Sequence, residues 1–366
     1  MNLVYLSPVP WDSFSQRPHK FVEWFRDRTG GLVLWVDPYP TRLPSWKDFL
    51  RARPYDASDQ SKGQPSWLAT IKPGGIPIEP LPGSGWINGL VWRPYLRQIE
   101  GFTKTAQTLL VCGKPSDLAQ KVIALSPDCQ TVYDAMDDFP AFYSGLSRFA
   151  MVRRERQIAQ KVRIILASSS KLKSFWSSFH NDVRLVHNGL DLGTLRDLEP
   201  MAKSSEKTVF GYVGTVASWF DWSWLFKLAE TRPNDEIRLI GPVFEQPIGK
   251  LPSNIKLLPP CDHAAALNNM TQFHVGLIPF KINALTASVD PIKYYEYRAV
   301  GLPVISTDFG EMSLRIGEQG VFISQTMSDI PTLAESAINF FSEKRDTNAF
   351  AVRNTWAAHF DAAKIL

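Results

Sequence analysis

Cysteine is scarce. Cys112, Cys129 and Cys261 are the only three in 366 residues, and no two share a C-x-x-C spacing. That excludes a disulfide framework and a cysteine-built zinc site, and it fits a reducing compartment. Long apolar runs are also missing: no stretch approaches the roughly 20 residues needed to span a bilayer. The opening NLVYLSPVP has no basic segment followed by a leader-type apolar run. The expected location is the cytoplasm, at most peripheral to the inner face of the cell membrane. No G-x-S-x-G occurs, and no cysteine sits after a strand with a paired histidine nearby, so serine or cysteine hydrolase chemistry has no support. The basic residues are dispersed, without an aromatic-basic recognition string, which argues against nucleic acid as a partner.

What is present is a chain with 44% hydrophobic residues, long enough for two cores. Its net charge of +4 hides an asymmetry. Residues 1–185 hold 24 Lys and Arg against 16 Asp and Glu, while residues 186–366 hold 16 against 20. A basic half rich in Trp and Phe suits anionic headgroups or a lipid-diphosphate acceptor, although an ordinary basic surface reads the same way. Short β-rich runs recur between longer mixed stretches: Leu3–Leu6, Leu32–Val36, Thr108–Cys112, Thr131–Tyr133, Arg163–Ala167 and Arg184–Val186. After His187-Asn-Gly-Leu-Asp191 and a charged connector the pattern restarts. It runs through Thr208–Val213, Glu236–Ile240, Ile255–Leu258, Val275–Pro279, Val304–Thr307 and Val321–Ser324. Two parallel, helix-covered sheets follow, an α/β architecture of two Rossmann-like domains. Ligands of such sheets bind outside the carboxyl ends of the strands, which predicts a substrate cleft between the domains and a hinge near Asn188.

The segment from Ser288 to Thr307, SVDPIKYYEYRAVGLPVIST, reads as a loop, a helix and a buried strand. Pro291 suits the first helical turn and Asp290 can cap it. A helix start carries about half a positive charge, and Lys293 adds a full one, which together suit a phosphate. Glu296 can accept from two neighbouring hydroxyls, as a ribose offers. The competing reading is an i,i+3 surface pair worth a few tenths of a kcal/mol. The string P-x-K-x-x-E-Y-x-A-x-G-x-P-V resembles the donor-nucleotide motif of bacterial GT-B glycosyltransferases. That resemblance implies donor binding by Pro291, Lys293, Tyr294 and Glu296, with Lys293 near the diphosphate and Glu296 on the ribose. Many retaining members carry a further glutamate eight positions earlier, on the transferred sugar; here that position is Ser288, so either Asp290 substitutes or the sugar is held differently, and retaining stereochemistry does not carry over.

Other strand ends add candidates. Gly211-Tyr-Val-Gly214-Thr215 closes the first strand of the second half, where glycine lets backbone N–H groups approach a diphosphate, though a tight turn has the same sequence. The following TVASWFDW holds no Lys or Arg, which leaves the phosphate charge to Lys293, with Arg17 as a second cation. Near the amino terminus, W-D-x-x-x-Q-R-P-H (Trp11 to His19) resembles polysaccharide glycosyltransferases of the teichuronic-acid type. Asp12, Gln16 and Arg17 are sugar or acceptor candidates there, and His19 is either catalytic or a core or capping residue. Asp134, Asp137 and Asp138 end another strand. Mutual repulsion should raise at least one pKa, as a general base requires, with Asp134 on sugar or acceptor; a helix cap is the alternative. In an inverting enzyme Asp137 or Asp138 would deprotonate the acceptor; in a retaining one it would orient the sugar or acceptor.

The resemblance implies a GT-B fold with domains over residues 1–187 and 188–348, and a terminal helix, 349–366, packing back on the first domain. It implies transfer of a sugar from a UDP-, GDP- or dTDP-sugar to a glycan or lipid-linked glycan in bacterial surface polysaccharide assembly, with no obligatory cofactor or metal. Two rivals share the architecture: a nucleotide-sugar 2-epimerase, and a catalytically silent subunit that binds a partner glycosyltransferase.

Overall fold

The structure, a computed structural model, describes residues 1–39, 64–76, 79, 83–195, 207–341 and 347–366. It divides into two compact units, Met1–His187 with Ala363–Leu366, and Asn188–Ala362. The charged connector after Asp191 lies largely outside the described residues.

The first unit is a parallel sheet of strands β1 (Asn2–Leu6), β2 (Val33–Val36), β3 (Leu68–Ile71), β4 (Thr108–Cys112), β5 (Gln130–Ala135), β6 (Ile164–Ala167) and β7 (Val183–Leu185). Their order is β3-β2-β1-β4-β5-β6-β7. Six of these strands follow from the β-rich runs, whereas β3 does not. Its four residues, LATI, sit at the sheet edge with the two ends buried and the middle pair more exposed, too short a pattern to rise above a loop. The second unit holds β8 (Val209–Val213), β9 (Glu236–Ile240), β10 (Ile255–Leu258), β11 (Val275–Ile278), β12 (Val304–Thr307) and β13 (Val321–Ser324). They are ordered β10-β9-β8-β11-β12-β13, again parallel.

Alternation along β8 shows how the sheet is sealed on both faces. Val209 and Val213 join the core under helices His263–Met270 and Ile292–Ala299, while Phe210 and Tyr212 join the core under Trp222–Thr231 and Ile330–Phe341. Gly211 faces the Phe273 ring so closely that a Cβ would lie 2.0 Å from it. In both sheets the strand order reverses beside the first strand, at β1/β4 and at β8/β11, and such a switch point opens a crevice at the strands' carboxyl ends.

The expectation for residues 349–366 is corrected. Helices Asn348–Arg353 and Trp356–Ala362 belong to the second unit, where Leu190 N–H donates to Asn354 O at 2.9 Å and Trp356 N–H donates to Leu190 O at 3.1 Å. Only Ala363–Leu366 joins the first unit, through Arg184 Nη1 bonds to Ala363 O (2.8 Å) and Lys364 O (2.6 Å). Asn188 and Gly189 are likewise fastened to the second unit, since a Cβ on Gly189 would meet Trp356 N at 2.7 Å.

Candidate functional site

In the second unit the loop after β11 feeds the helix Ile292–Ala299. Pro291 is its N-cap rather than a residue of its first turn, and no side chain caps it. The N–H groups of Ile292 and Lys293 therefore carry the positive end of the helix dipole. Lys293 Nζ sits 2.6 Å from Glu296 Oε2, and His263 Nε2 lies 3.0 Å from Glu296 Oε1. Burial would raise the Glu296 pKa, but Lys293 and His263 outweigh it and hold the carboxyl below its usual range. The i,i+3 pair is thus real but not a surface pair: Glu296 is 8% exposed, while Lys293 at 23% and His263 at 33% stay reachable. His263, at the end of the Leu257–His263 segment, was not singled out in the sequence as a partner of Glu296. It begins the helix after β10, capped by Asp262, and only the shared sheet face of the two helices brings it to Glu296.

Asp290 neither caps the helix nor is placed to substitute for a sugar-binding glutamate. Its Oδ1 takes Arg315 Nη2 at 2.7 Å, and its Oδ2 takes Tyr295 Oη at 2.9 Å and Asn188 N–H at 2.8 Å. This buried knot ties the helix start to the Asn188 segment and has a structural role. Tyr294 is also removed from the donor candidates: it is 4% exposed, donates to Glu318 at 2.6 Å, and lies under the Arg315 guanidinium, 3.8 Å from its ring centre. Ser288 is buried at 4% in the loop before Asp290.

The glycine turn after β8 acts through conformation. Gly214 has φ 150° and its N–H donates to Ile240 O at 2.9 Å, so that donor is spent inside the sheet. Gly241 packs against it, with a Cβ there only 2.3 Å from Gly214 O. Thr215 follows at the mouth of the turn, half-buried, with Tyr212 Oη donating to its carbonyl at 2.8 Å.

In the first unit the predicted binding string is mostly consumed by the fold. Arg17 forks onto Asp134, Nε to Oδ1 at 3.0 Å and Nη2 to Oδ1 at 2.9 Å, and its Nη1 donates to Val186 O at 2.7 Å. Tyr5 Oη completes the Asp134 shell at 2.9 Å. With 4% and 0% of their side chains exposed, Arg17 and Asp134 are a buried structural pair, not acceptor ligands. His19 Nδ1 accepts from Gln16 N–H at 3.2 Å, so Nε2 carries the proton and donates to Trp11 O at 3.1 Å. Packed between Trp11 and Trp35, it is a capping residue, and burial keeps its pKa low and the ring neutral. Gln16 is exposed at the helix N-cap, and Asp12 forms an exposed pair with Lys72 at 3.0 Å.

Asp137 and Asp138 behave differently from Asp134. Asp138 is the N-cap of the short helical turn Phe139–Phe142 but gives it no side-chain bond, and burial raises its pKa against Arg148 and Lys171. Asp137 is half-buried at the end of β5 and makes no hydrogen bond or ion pair among the described residues. Burial pushes its pKa up to about 7, with Asp134 and Asp138 adding to the rise and Arg17 opposing it. The shift expected from repulsion is therefore present, but desolvation leads. Among the described residues no group of three or more His, Cys, Asp or Glu is placed to hold a metal.

No protein-family profile matches the chain. A Bacillus subtilis (strain 168) protein named as a candidate teichuronic acid biosynthesis glycosyltransferase, TuaH, is 25% identical over 206 residues, which is 50% of this chain and 52% of that protein. The chain thus matches about half the length of that curated relative. Among solved structures, HepE of Anabaena in complex with UDP has a TM-score of 0.64 at 13% identity, covering 100% of this chain and 99% of that one. The lipopolysaccharide outer core galactosyltransferase WaaB has a TM-score of 0.64 at 12% identity, with coverage of 100% and 99%. An E. coli trehalose-6-phosphate structure with bound UDP-2-fluoro glucose has a TM-score of 0.64 at 10% identity and the same coverage. Two parallel sheets, each sealed by helices, aligned end to end with such structures, give this chain the GT-B fold.

Proposed function

We propose that this protein is a glycosyltransferase that moves a sugar from a nucleotide-diphosphate sugar to a glycan or lipid-linked glycan acceptor in the assembly of a bacterial surface polysaccharide. The observation that carries the reading is the Lys293–Glu296–His263 cluster, a cation, a carboxylate and an imidazole gathered at a helix start on the switch-point side of the second sheet. Lys293 and the helix N–H groups would hold the diphosphate and Glu296 the ribose, with His263 orienting that carboxylate. UDP is the favoured nucleotide, because HepE and the E. coli structure were solved with UDP or a UDP-sugar. Catalysis would come mostly from positioning and leaving-group stabilisation. Asp137 is the general base we favour: a carboxyl with a pKa near 7 and no hydrogen-bond or ion-pair partner among the described residues can take the proton of an acceptor hydroxyl. Anionic lipid contact by the basic first unit belongs to the same reading, since a lipid-linked acceptor lies at a membrane.

A thermal-shift series with UDP, GDP, dTDP, ADP and CMP tests it, because a ligand that binds only the native state raises Tm. The expected result is a shift with UDP in the wild type that Lys293→Ala largely removes. No shift with any nucleotide would overturn the donor assignment and favour the silent subunit.

A further inference from the structure

Two helices of the first unit carry the same outward pattern. Ser84–Thr103 buries Ser84, Asn88, Trp92 and Ile99. On its outer side Trp86, Leu90, Arg93 and Arg97 recur at one-face spacing, with Trp86 80% and Leu90 58% exposed. Gly145–Ala159 repeats the order with Leu146, Phe149, Arg153 and Arg156, Leu146 being 81% and Phe149 70% exposed. Both helices return from one parallel strand to the next, so both start at the carboxyl edge of the sheet, and both begin apolar and turn basic after two turns. Asp117 fixes them in one layer, accepting Ser84 Oγ at 2.6 Å and pairing with Arg154 Nη2 at 2.7 Å. Neither helix exposes an unpaired acid: Glu155 is buried on Tyr133 Oη at 2.6 Å, and Glu100 pairs with Lys104.

We infer that these two stripes form a docking surface for a bilayer bearing anionic headgroups. Large side chains this exposed, each backed by arginines on the same stripe, suit the boundary between acyl chains and headgroups, with the guanidinium groups level with the phosphates. The surface lies at the edge where β5 delivers Asp137, so a lipid-linked acceptor held there would stay in its membrane; in this the inference rests on the acceptor class proposed above.

Flotation of the full chain with vesicles of phosphatidylcholine, with and without phosphatidylglycerol, tests the inference. The wild type is expected to float only with phosphatidylglycerol and to be released by salt. Trp86→Glu with Phe149→Glu, and separately Arg93→Glu with Arg97→Glu, should each weaken binding about tenfold or more while leaving the UDP-induced Tm shift intact. Wild-type protein that never floats, or variants that float like wild type, would overturn it. So would a concentration-dependent dimer that Trp86→Glu disperses, which would make a second copy the occupant. Vesicle binding without any UDP shift would retain the surface and sink the glycosyltransferase reading instead.

Discussion

Each unit contains a charged cluster at the carboxyl side of its sheet, and the two have opposite fates. In the first unit Arg17 and Asp134 are sealed, at 4% and 0% exposure, with every strong contact made inside the protein. In the second, Lys293 and His263 converge on Glu296 while keeping 23% and 33% of their side chains exposed. Similar residue types thus serve as a fastener in one place and as a reachable site in the other. Burial decides which, because an ion pair sealed away from solvent is closed to substrate.

Four substitutions probe that contrast, taken from the largest expected effect downward. Arg17→Ala leaves Asp134 buried without its partner and should lower stability by about 3–5 kcal/mol in denaturant unfolding, before any effect on nucleotide binding. A stable variant with lost activity would instead return Arg17 to the active site. Asp137→Asn should cut kcat by about a hundredfold or more with little change in donor affinity. It should also abolish a rise of kcat through about pH 7. The stability sign is opposite to that of an ion-paired carboxylate. Because the folded pKa is raised, the native state holds its proton longer, so this group's contribution falls as pH climbs from about 4 to about 7. Glu155, raised by burial to about 8, adds to the same slope and would leave part of it in the variant. Lys293→Ala should weaken UDP binding by tens-fold, about 2 kcal/mol, and change stability by less than about 1 kcal/mol, since its group is partly solvated. His19→Gln should cost about 1 kcal/mol of stability through the helix cap and leave turnover near wild type; a collapse of kcat in a folded variant would make the imidazole catalytic after all.

Much of the fold was legible because β-rich runs at regular spacing survive in the sequence, and twelve of the thirteen strands lie on those runs. The edge strand Leu68–Ile71 escaped because a half-exposed run of four residues has no period to read. The Lys293–Glu296 spacing was legible as well, because i,i+3 neighbours on a helix meet whatever surrounds them. His263 was not, since 33 residues separate it from Glu296 and only the sheet brings their helices together. The W-D-x-x-x-Q-R-P-H string pointed to the kind of relative that the comparison found, but the ligand roles read from it for Arg17 and His19 failed for the converse reason. Polar residues at a strand end look available in sequence, yet Arg17 and His19 turn inward to Asp134, Val186, Gln16 and Trp11.

By itself the sequence determined the two alternating α/β halves, the helix that follows Pro291, and the basic character of residues 1–185, since all of these depend on local propensity, periodicity or composition. Only the tertiary structure decided which charges are spent: that Asp290 belongs to Arg315 and Asn188, Asp134 to Arg17 and Tyr5, and that Asp137 has no partner among the described residues. Those assignments depend on burial and on contacts between distant segments, and neither quantity exists until the sheets close over their helices.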